Sequence, residues 1–171
     1  NTEKYKLELL KSEKDKKEHD YVIDGVIQSL NPLTETCAVI NRYHILQLSK
    51  VQHLTSVVKG QLKKNITDID LIDALHPTAA VAGTPKNDAK KEIAQHEVFA
   101  RGLYTGCVGV VSKDFSELLV AIRCCLIHAE KMFSYAGAGL VAESNPESEW
   151  DEILAKSAHI TNLVSTETHA R

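Results

Sequence analysis

The sequence has few aromatic residues, no long apolar run and almost no net charge. Phe, Trp and Tyr make up 5% of its 171 residues, which is too few for the stacking platform of a single-stranded nucleic-acid binder. Twenty Lys and Arg side chains against 23 Asp and Glu give a net charge of −3, so no basic surface is expected. No stretch approaches the roughly 18 consecutive apolar residues of a membrane-spanning helix. We therefore expect neither nucleic acid nor a membrane as a partner.

Paired cysteine motifs are absent and methionine is scarce. The four cysteines lack the paired spacing of a zinc site or a disulfide framework. Buried free thiols are typical of a reducing compartment, and no secretory signal is visible, so we expect a cytoplasmic location. The only methionine is Met132 and the sequence opens with Asn1, so we expect a piece of a longer product.

Apolar residues make up 43% of the sequence and charged residues 25%, which is the composition of a globular domain. Helical spacing and capping residues predict helices at Tyr21–Leu30, after Thr67, at 87–97 and from Pro146 to about Ala158. Short apolar runs predict strands at 37–40, 43–48 and 51–58, and largely buried strands at 103–111, 117–127 and 131–136. Strands without strict βαβ alternation indicate an α+β fold, and the absence of a linker indicates one domain or part of one.

Familiar local motifs do not explain the chain. Gly137 to Ala142 fits a dinucleotide-binding G-x-G-x-x-A, but the next helix begins only at Pro146, too far on for its amides to meet a phosphate. Too little chain follows Ala142 to complete half of a Rossmann fold. No P-loop, nucleophile elbow or H-E-x-x-H is present.

Several charged residues do stand at suggestive positions. Glu149, Glu152 and Lys156 share one face of the last predicted helix, where two carboxylates suit a hard cation such as Mg²⁺. An ordinary i,i+4 ion pair between Glu152 and Lys156 explains part of the same spacing. Arg123 lies inside a predicted buried strand, so either a structural carboxylate pairs with it or it awaits an anionic ligand.

Read together, these residues resemble the C-terminal half of the chorismate-utilising enzymes. Seven segments match the family's motifs in the family's order: Ser12–His19, Gln52–Leu54, Leu75–Pro85, Glu97–Tyr104, Ala121–Arg123, Tyr135–Gly139 and Glu149–Glu152 with Lys156. The resemblance covers nearly the whole chain. It implies that residues 1–171 are the C-terminal portion of a chorismate-binding catalytic domain, an α+β fold with β-sheets flanked by helices.

Within the family, the loop Pro77–Gly83 is similar to that of the isochorismate synthases. Ala80 stands where anthranilate, aminodeoxychorismate and salicylate synthases tend to carry a hydroxyl residue, and a small apolar residue suits a site that uses water rather than ammonia. The resemblance thus implies the interconversion of chorismate and isochorismate. The product would feed menaquinone, siderophore or salicylate synthesis.

The resemblance also implies a set of site residues. Glu18, Glu149 and Glu152 would hold Mg²⁺, which would bind the ring carboxylate of chorismate. Arg123 and Lys156 would bind the enolpyruvyl carboxylate with the backbone at Gly137, and His53 would lie near the departing hydroxyl. The residues lining the ring would be Ala80, Val81, Tyr104, Ile122 and Tyr135.

One departure from the family pattern limits the activity expected. The family's water-activating lysine, general-acid glutamate and G-T-x-x-R-G loop all precede its S-x-K-D motif, which starts here at Ser12. Without that acid–base pair the chain alone is not expected to turn over chorismate. We therefore expect the missing N-terminal half of the enzyme as a possible partner. Two alternatives stay open: a different chorismate enzyme, such as a salicylate or anthranilate synthase, and a non-catalytic split remnant.

Overall fold

A computed structural model describes residues 2–47 and 52–165, and it divides the chain into two compact units, Asn1–Val98 and Phe99–Arg171. Helices and strands are mixed in the α+β manner predicted from the sequence, although no linker signals the division at Val98. Among the residues that the structure describes, no helix combines the length and the apolarity needed to cross a membrane.

The first unit contains five helices and one antiparallel hairpin among its described residues. In chain order they are α1 (Thr2–Lys11), α2 (Glu13–Leu30), a 3-10 turn (Asn31–Leu33), β1 (Thr34–Gln47), β2 (Gln52–Leu62), α3 (Asp68–Leu75), α4 (Ala79–Ala82) and α5 (Lys86–His96). The second unit contains two short antiparallel hairpins and one long helix. These are β3 (Cys107–Val111) with β4 (Ser116–Val120), β5 (Cys125–His128) with β6 (Lys131–Ser134), and α6 (Pro146–Ser165).

Helix α2 is the centre of the first unit. It begins at the N-cap Ser12, whose hydroxyl accepts a hydrogen bond from the Asp15 amide at 3.2 Å, so the charged stretch before Tyr21 is helical as well. One face of α2 packs against α3, α4 and both strands of the hairpin, and it buries Ile23. This packing places the N-terminal half of α2 beside β2.

The β1–β2 hairpin is irregular. Its first strand has 14 residues against 11 in the second, and the register shifts at three places. One shift lies between the pairs Asn41–Val57 and His44–Thr55, where Arg42 and Tyr43 together oppose one residue of β2. Such a two-against-one arrangement is a β-bulge, which bends the strand and redirects its side chains.

Two predicted helix starts are confirmed. Thr67 accepts from the Asp70 amide while the Asp70 carboxylate accepts from the Thr67 backbone, which is a complete capping box for α3. At α6 the side chain of Asn145 accepts from the amides of Glu147 and Ser148, both at 3.1 Å. The sequence placed the end of α6 near Ala158, whereas the helix continues to Ser165.

The strands of the second unit differ from the prediction. The predicted strand at 117–127 is two strands, β4 and β5, separated by a bend at Arg123 with φ of +54°. The predicted strand at 103–111 begins only at Cys107. The expectation of largely buried strands is wrong as well, because most residues of β3 to β6 are exposed.

The cysteines are free thiols, as their spacing predicts. They are less buried than expected, since Cys37, Cys107 and Cys124 are half-buried and Cys125 is exposed. Each lies in or next to a strand of one of the hairpins.

Candidate functional site

In the second unit, backbone hydrogen bonds beyond the hairpins bring several predicted site residues together. The amide of Thr105 donates to the carbonyl of Ala121 at 2.8 Å, and that of Ala121 donates to Gly106 at 2.8 Å. The amide of Tyr135 donates to the carbonyl of Cys124 at 3.4 Å. These bonds place the segment after Tyr104, the Ile122–Arg123 bend and the start of the glycine-rich segment side by side.

Aromatic rings fill part of this region. Tyr104 and Tyr135 stack with their ring centroids 5.2 Å apart and an interplanar angle of 20°. Phe99 contacts the same Tyr135 ring at 6.0 Å, and the Arg101 guanidinium lies 5.8 Å from the centre of the Tyr104 ring. A Cβ added at Gly137 would lie 3.2 Å from the Tyr104 hydroxyl, so glycine allows the backbone to approach this ring closely.

The positions of Ile122 and Arg123 require a correction. They do not lie inside a buried strand, as the sequence suggested, but on the bend between β4 and β5. Ile122 is half exposed and Arg123 is half-buried. The left-handed backbone at Arg123 is uncommon for a residue with a side chain, and such conformations concentrate at functional sites. A half-buried guanidinium on a bend can reach a ligand more readily than one within a strand.

Helix α6 presents its predicted residues on one face. Lys156 Nζ donates to the Gly137 carbonyl at 3.0 Å, which joins the helix to the glycine-rich segment. Lys156 also forms an ion pair with Glu152, so the ordinary i,i+4 pair expected from the spacing is present. Glu149, one helical turn before Glu152, is only 4% exposed. Burying a carboxylate is costly unless cations or donors compensate its charge, and the buried position of Glu149 is compatible with an electropositive ligand.

The fit of Mg²⁺ can be judged from these donors. Glu149 and Glu152 supply two hard oxygen ligands three residues apart on one helix, which is the chemistry that Mg²⁺ prefers. Glu18 belongs to the other unit. Within the described ranges 2–47 and 52–165, no three His, Cys, Asp or Glu side chains are grouped closely enough to hold a metal ion. The α6 pair therefore fits two ligands of a site, and the three-glutamate set stays a prediction.

In the first unit, the segment Leu75–Pro85 contains a short helix that the sequence does not reveal. Helix α4 carries Ala80, which is exposed, and Val81, which is half-buried. Gly83 follows with φ of +73°, and an added Cβ there would lie 2.8 Å from the Ala89 side chain. Lys86 closes the segment by donating from Nζ to the His76 carbonyl at 2.8 Å. The position of the Ala80–Val81 pair is thus defined from both ends.

The other two predicted residues of the first unit lie on neighbouring elements. Glu18 is on α2, partly exposed, with Lys14 Nζ 3.4 Å from its Oε1. His53 is on β2, half-buried, and pairs with Leu46 of β1. Because α2 packs on β2, one packing interface fixes both elements.

A polar cluster at this interface escaped the sequence analysis. His19 Nε2 lies 2.8 Å from Ser56 Oγ, and the Tyr43 hydroxyl donates to both oxygens of Asp20 at 2.6 and 2.7 Å. Arg42 forms ion pairs with Asp20 and Asp24, each at 3.4 Å. We call the group His19, Asp20, Arg42, Tyr43 and Ser56 the bulge cluster. The only sequence signal for it was the Glu-His pair within the Ser12–His19 motif.

Two pKa values in the bulge cluster are shifted. Burial lowers the pKa of His19, a change that the Asp20 carboxylate opposes and the Arg42 guanidinium reinforces. The hydrogen bond to Asp20 raises the pKa of Tyr43, with burial adding to the effect. Both shifts favour the neutral forms of the two side chains.

Comparison with known proteins identifies the family. The family model described as chorismate binding enzyme matches residues 1–165. The chain therefore belongs to the chorismate-binding enzymes, as its motifs predict. Its hairpins and helices also superpose on the structure of MenF, the menaquinone-specific isochorismate synthase from Escherichia coli. That match has a TM-score of 0.83 and 39% identity, and it covers 91% of this chain and 36% of that chain.

Two further relatives with different activities in their names are similar to this chain to almost the same degree. The isochorismate synthase MenF of Haemophilus influenzae is 40% identical over 159 residues, which is 93% of this chain and 37% of the relative. Anthranilate synthase component 1 of Saccharolobus solfataricus is 39% identical over 152 residues, or 87% of this chain and 36% of the relative. The chain thus spans little more than a third of the length of each of these three relatives.

Proposed function

We propose that this chain carries the chorismate-binding and Mg²⁺-binding portion of an isochorismate synthase. The observation that carries the proposal is the arrangement in the second unit, where the Arg123 bend, the stacked tyrosines, Gly137 and the charged face of α6 adjoin one another. Membership of the chorismate-binding family and similarity to isochorismate synthases support the same reading.

The residues of the second unit divide into two chemical roles. Arg123 and Lys156 are the cations for the enolpyruvyl carboxylate, and the guanidinium of Arg123 offers a planar fork that matches a carboxylate. Lys156 is held between Glu152 and the Gly137 carbonyl, so its charge stays next to the glycine-rich segment. Tyr104, Ile122 and Tyr135 supply apolar surface for the ring, as expected for a site that keeps out most water.

The first unit supplies Ala80 and Val81 for the ring, His53 beside the departing hydroxyl, and Glu18 as a further carboxylate. Bound Mg²⁺ would neutralise and orient the ring carboxylate of chorismate, with Glu149 and Glu152 as the ligands from α6. In the conversion to isochorismate, water adds at C2 and the C4 hydroxyl leaves with a proton, so a base and an acid are required. We assign assistance of the departing hydroxyl to His53, as the family resemblance implies.

The small apolar residue at Ala80 favours isochorismate synthase over the alternatives. Anthranilate synthase component 1 is nearly as similar in overall sequence, so identity alone does not separate the two activities. An apolar methyl group next to the ring offers no hydroxyl to orient ammonia, whereas water can be oriented by groups elsewhere. Menaquinone synthesis is one route that would use the product.

The chain also needs a partner in this proposal. The acid and base that the resemblance places ahead of the Ser12 motif would come from a further portion of the enzyme, either joined to this chain or supplied separately. The cytoplasmic location and the lack of nucleic-acid or membrane partners stay predictions from composition. A split remnant that no longer reacts would bind ligand weakly or merely pair with another chain, and it would not convert chorismate even with that portion present.

The decisive experiment joins or mixes this chain with the preceding portion of an isochorismate synthase and measures chorismate conversion. We expect isochorismate with Mg²⁺ and none with a chelator, and no anthranilate when ammonia is added. Anthranilate formed from ammonia would support the alternative enzyme instead. Conversion that is equally fast with the chelator would contradict the metal assignment.

A matched pair of α6 variants tests the metal ligands. Glu152→Ala should abolish Mg²⁺-dependent turnover and reduce Mg²⁺-dependent chorismate binding by at least about a hundredfold, because a charged ligand is lost. Asp151→Ala removes the same charge from an exposed neighbouring position of the same helix and should change binding by less than about twofold. Wild-type-like turnover of Glu152→Ala would remove Glu152 from the site.

A further inference from the structure

The bulge cluster joins the two elements of the first unit that carry Glu18 and His53. Glu18 directly precedes His19 on α2, and His53 lies three residues before Ser56 on β2. Between them, His19 Nε2 and Ser56 Oγ are in hydrogen-bond contact at 2.8 Å. Movement of α2 along or away from the strand would therefore stretch this contact.

The position of Ser56 explains why this residue makes the link. In the bulge, Ser56 alone opposes Arg42 and Tyr43, so the regular ladder of backbone hydrogen bonds is interrupted there. The Tyr43 amide donates instead to Ser56 Oγ at 3.2 Å. One hydroxyl thus completes the strand pairing and contacts the helix at the same time.

The neighbouring contacts brace the same point. Tyr43, in a left-handed conformation with φ of +58°, donates its hydroxyl to Asp20, and Arg42 pairs with Asp20 and Asp24. Those contacts join α2 to β1. Ser56 contacts His19, the residue that immediately follows Glu18.

We propose that Ser56 is a positioning residue of the chorismate site, because its hydroxyl holds the Glu18 segment of α2 in register with the His53 strand. The inference rests on the proposed function of Glu18 and His53. Ser56 acts through its hydroxyl contacts with His19 and the Tyr43 amide. An odd separation along a strand places its side chain on the face opposite to that of His53.

The first test measures amide hydrogen exchange in residues 17–22 of α2. Ser56→Ala should speed exchange there about fivefold to tenfold, the effect of losing one hydrogen bond. The control is Thr55→Val, which removes the adjacent hydroxyl of the same strand, bonded only to the His44 carbonyl at 3.0 Å among its described contacts. Equal exchange in Ser56→Ala and the wild type, or equal acceleration in Thr55→Val, would overturn the link.

The second test measures chorismate binding with Mg²⁺ by calorimetry. Ser56→Ala should bind about fivefold to tenfold more weakly, Ser56→Thr should recover binding to within about twofold, and Thr55→Val should match the wild type. Faster exchange in Ser56→Ala with unchanged binding would make Ser56 purely structural and overturn the proposal. Failure of the wild type itself to bind chorismate would instead refute the proposed function, and the exchange result would still report whether Ser56 holds α2.

Discussion

The two compact units bury different kinds of residue. Among the described residues, the buried side chains of the first unit are Ile23, Ala82 and Thr34, whereas the buried residue of the second unit is Glu149. The hairpin of the first unit is long and packs against α2, while those of the second have strands of four or five residues with mostly exposed side chains.

This difference indicates that the units depend on different forces. A two-stranded hairpin is marginally stable alone, and apolar packing against a helix is one way to stabilise it. The first unit has that packing through α2. In the second unit, separate segments are joined by backbone hydrogen bonds, by the contacts of the Tyr135 ring with Tyr104 and Phe99, and by the Lys156 link. These contacts involve candidate site residues or their neighbours. Changes in the buried core of the first unit should therefore affect mainly stability, and changes at the candidate site residues of the second should affect mainly ligand binding.

The largest stability effect is expected at the core of the first unit. Ile23→Ala should lower the free energy of unfolding by about 2–5 kcal/mol, because it leaves a cavity where α2 meets its neighbours. Ile127→Ala in β5, where the side chain is 71% exposed, should cost less than about 0.5 kcal/mol. Denaturant titration of both variants measures the contrast. Similar losses in the two variants would show that the second unit has an apolar core of its own.

For chorismate binding, the largest effect is expected in the second unit. Arg123→Ala should weaken chorismate binding roughly tenfold to a hundredfold, because a charge-assisted bond to a carboxylate is lost. Its unfolding transition should be nearly unchanged. Lys113→Ala, a charge change in the exposed turn between β3 and β4, serves as the control and should leave both properties as they are. A large loss of stability in Arg123→Ala with intact binding would assign this guanidinium to the structure alone.

The smallest effect is expected in the acid dependence of helix stability, which should differ between α3 in the first unit and α6 in the second. Hydrogen bonds from Thr67 lower the pKa of Asp70 below 3.8, so the ionised carboxylate stabilises α3 above that value, and the stabilisation is lost as pH falls through the lower pKa of the folded protein. The cap of α6 is the amide of Asn145, which does not titrate. Asp70→Asn should therefore flatten the acid dependence of α3 stability only. Helix-resolved hydrogen exchange below pH ~4 measures this difference. An unchanged acid profile in the variant would contradict the role of the cap.

Local features of the fold could be predicted because their causes are local. Thr67 and Asn145 cap helices with their own side chains, and the spacing of Tyr21 to Leu30 follows the helical period. No residue outside each segment is needed for these interactions. The predicted end of α6 was less accurate than its start. The sequence has no capping signal beyond Ala158, so nothing local indicates that the helix continues to Ser165.

The bend at Arg123 could not be predicted for the opposite reason. An apolar run from Glu117 to Ile127 has the same pattern whether it forms one strand or two, and only the partners of each half decide. Here Ala121 bonds to Gly106 and Cys124 to Tyr135, so the two halves belong to different hairpins. Burial was overestimated because apolar composition does not specify whether another element covers a strand.

The residues of the candidate site were found through the resemblance to a family. The residues that surround and position them, such as Ser56, were not found in this way. Arg123, Tyr135 and Lys156 lie in motifs that can be recognised, and the structure places them in one unit with Tyr104 and Gly137. Ser56 lies in no such motif, and its importance depends on a bulge that the sequence does not reveal.

The bulge at Arg42 and Tyr43 also bears on how this strand can change in length during evolution. Deleting a residue from a regular strand moves every later side chain to the other face. Deleting one of the two residues that oppose Ser56 would instead leave a one-to-one pairing with both flanks in their present register. A related protein could therefore lose the bulge and still form the hairpin. The expected consequence is that α2 would no longer be aligned with β2 through Ser56.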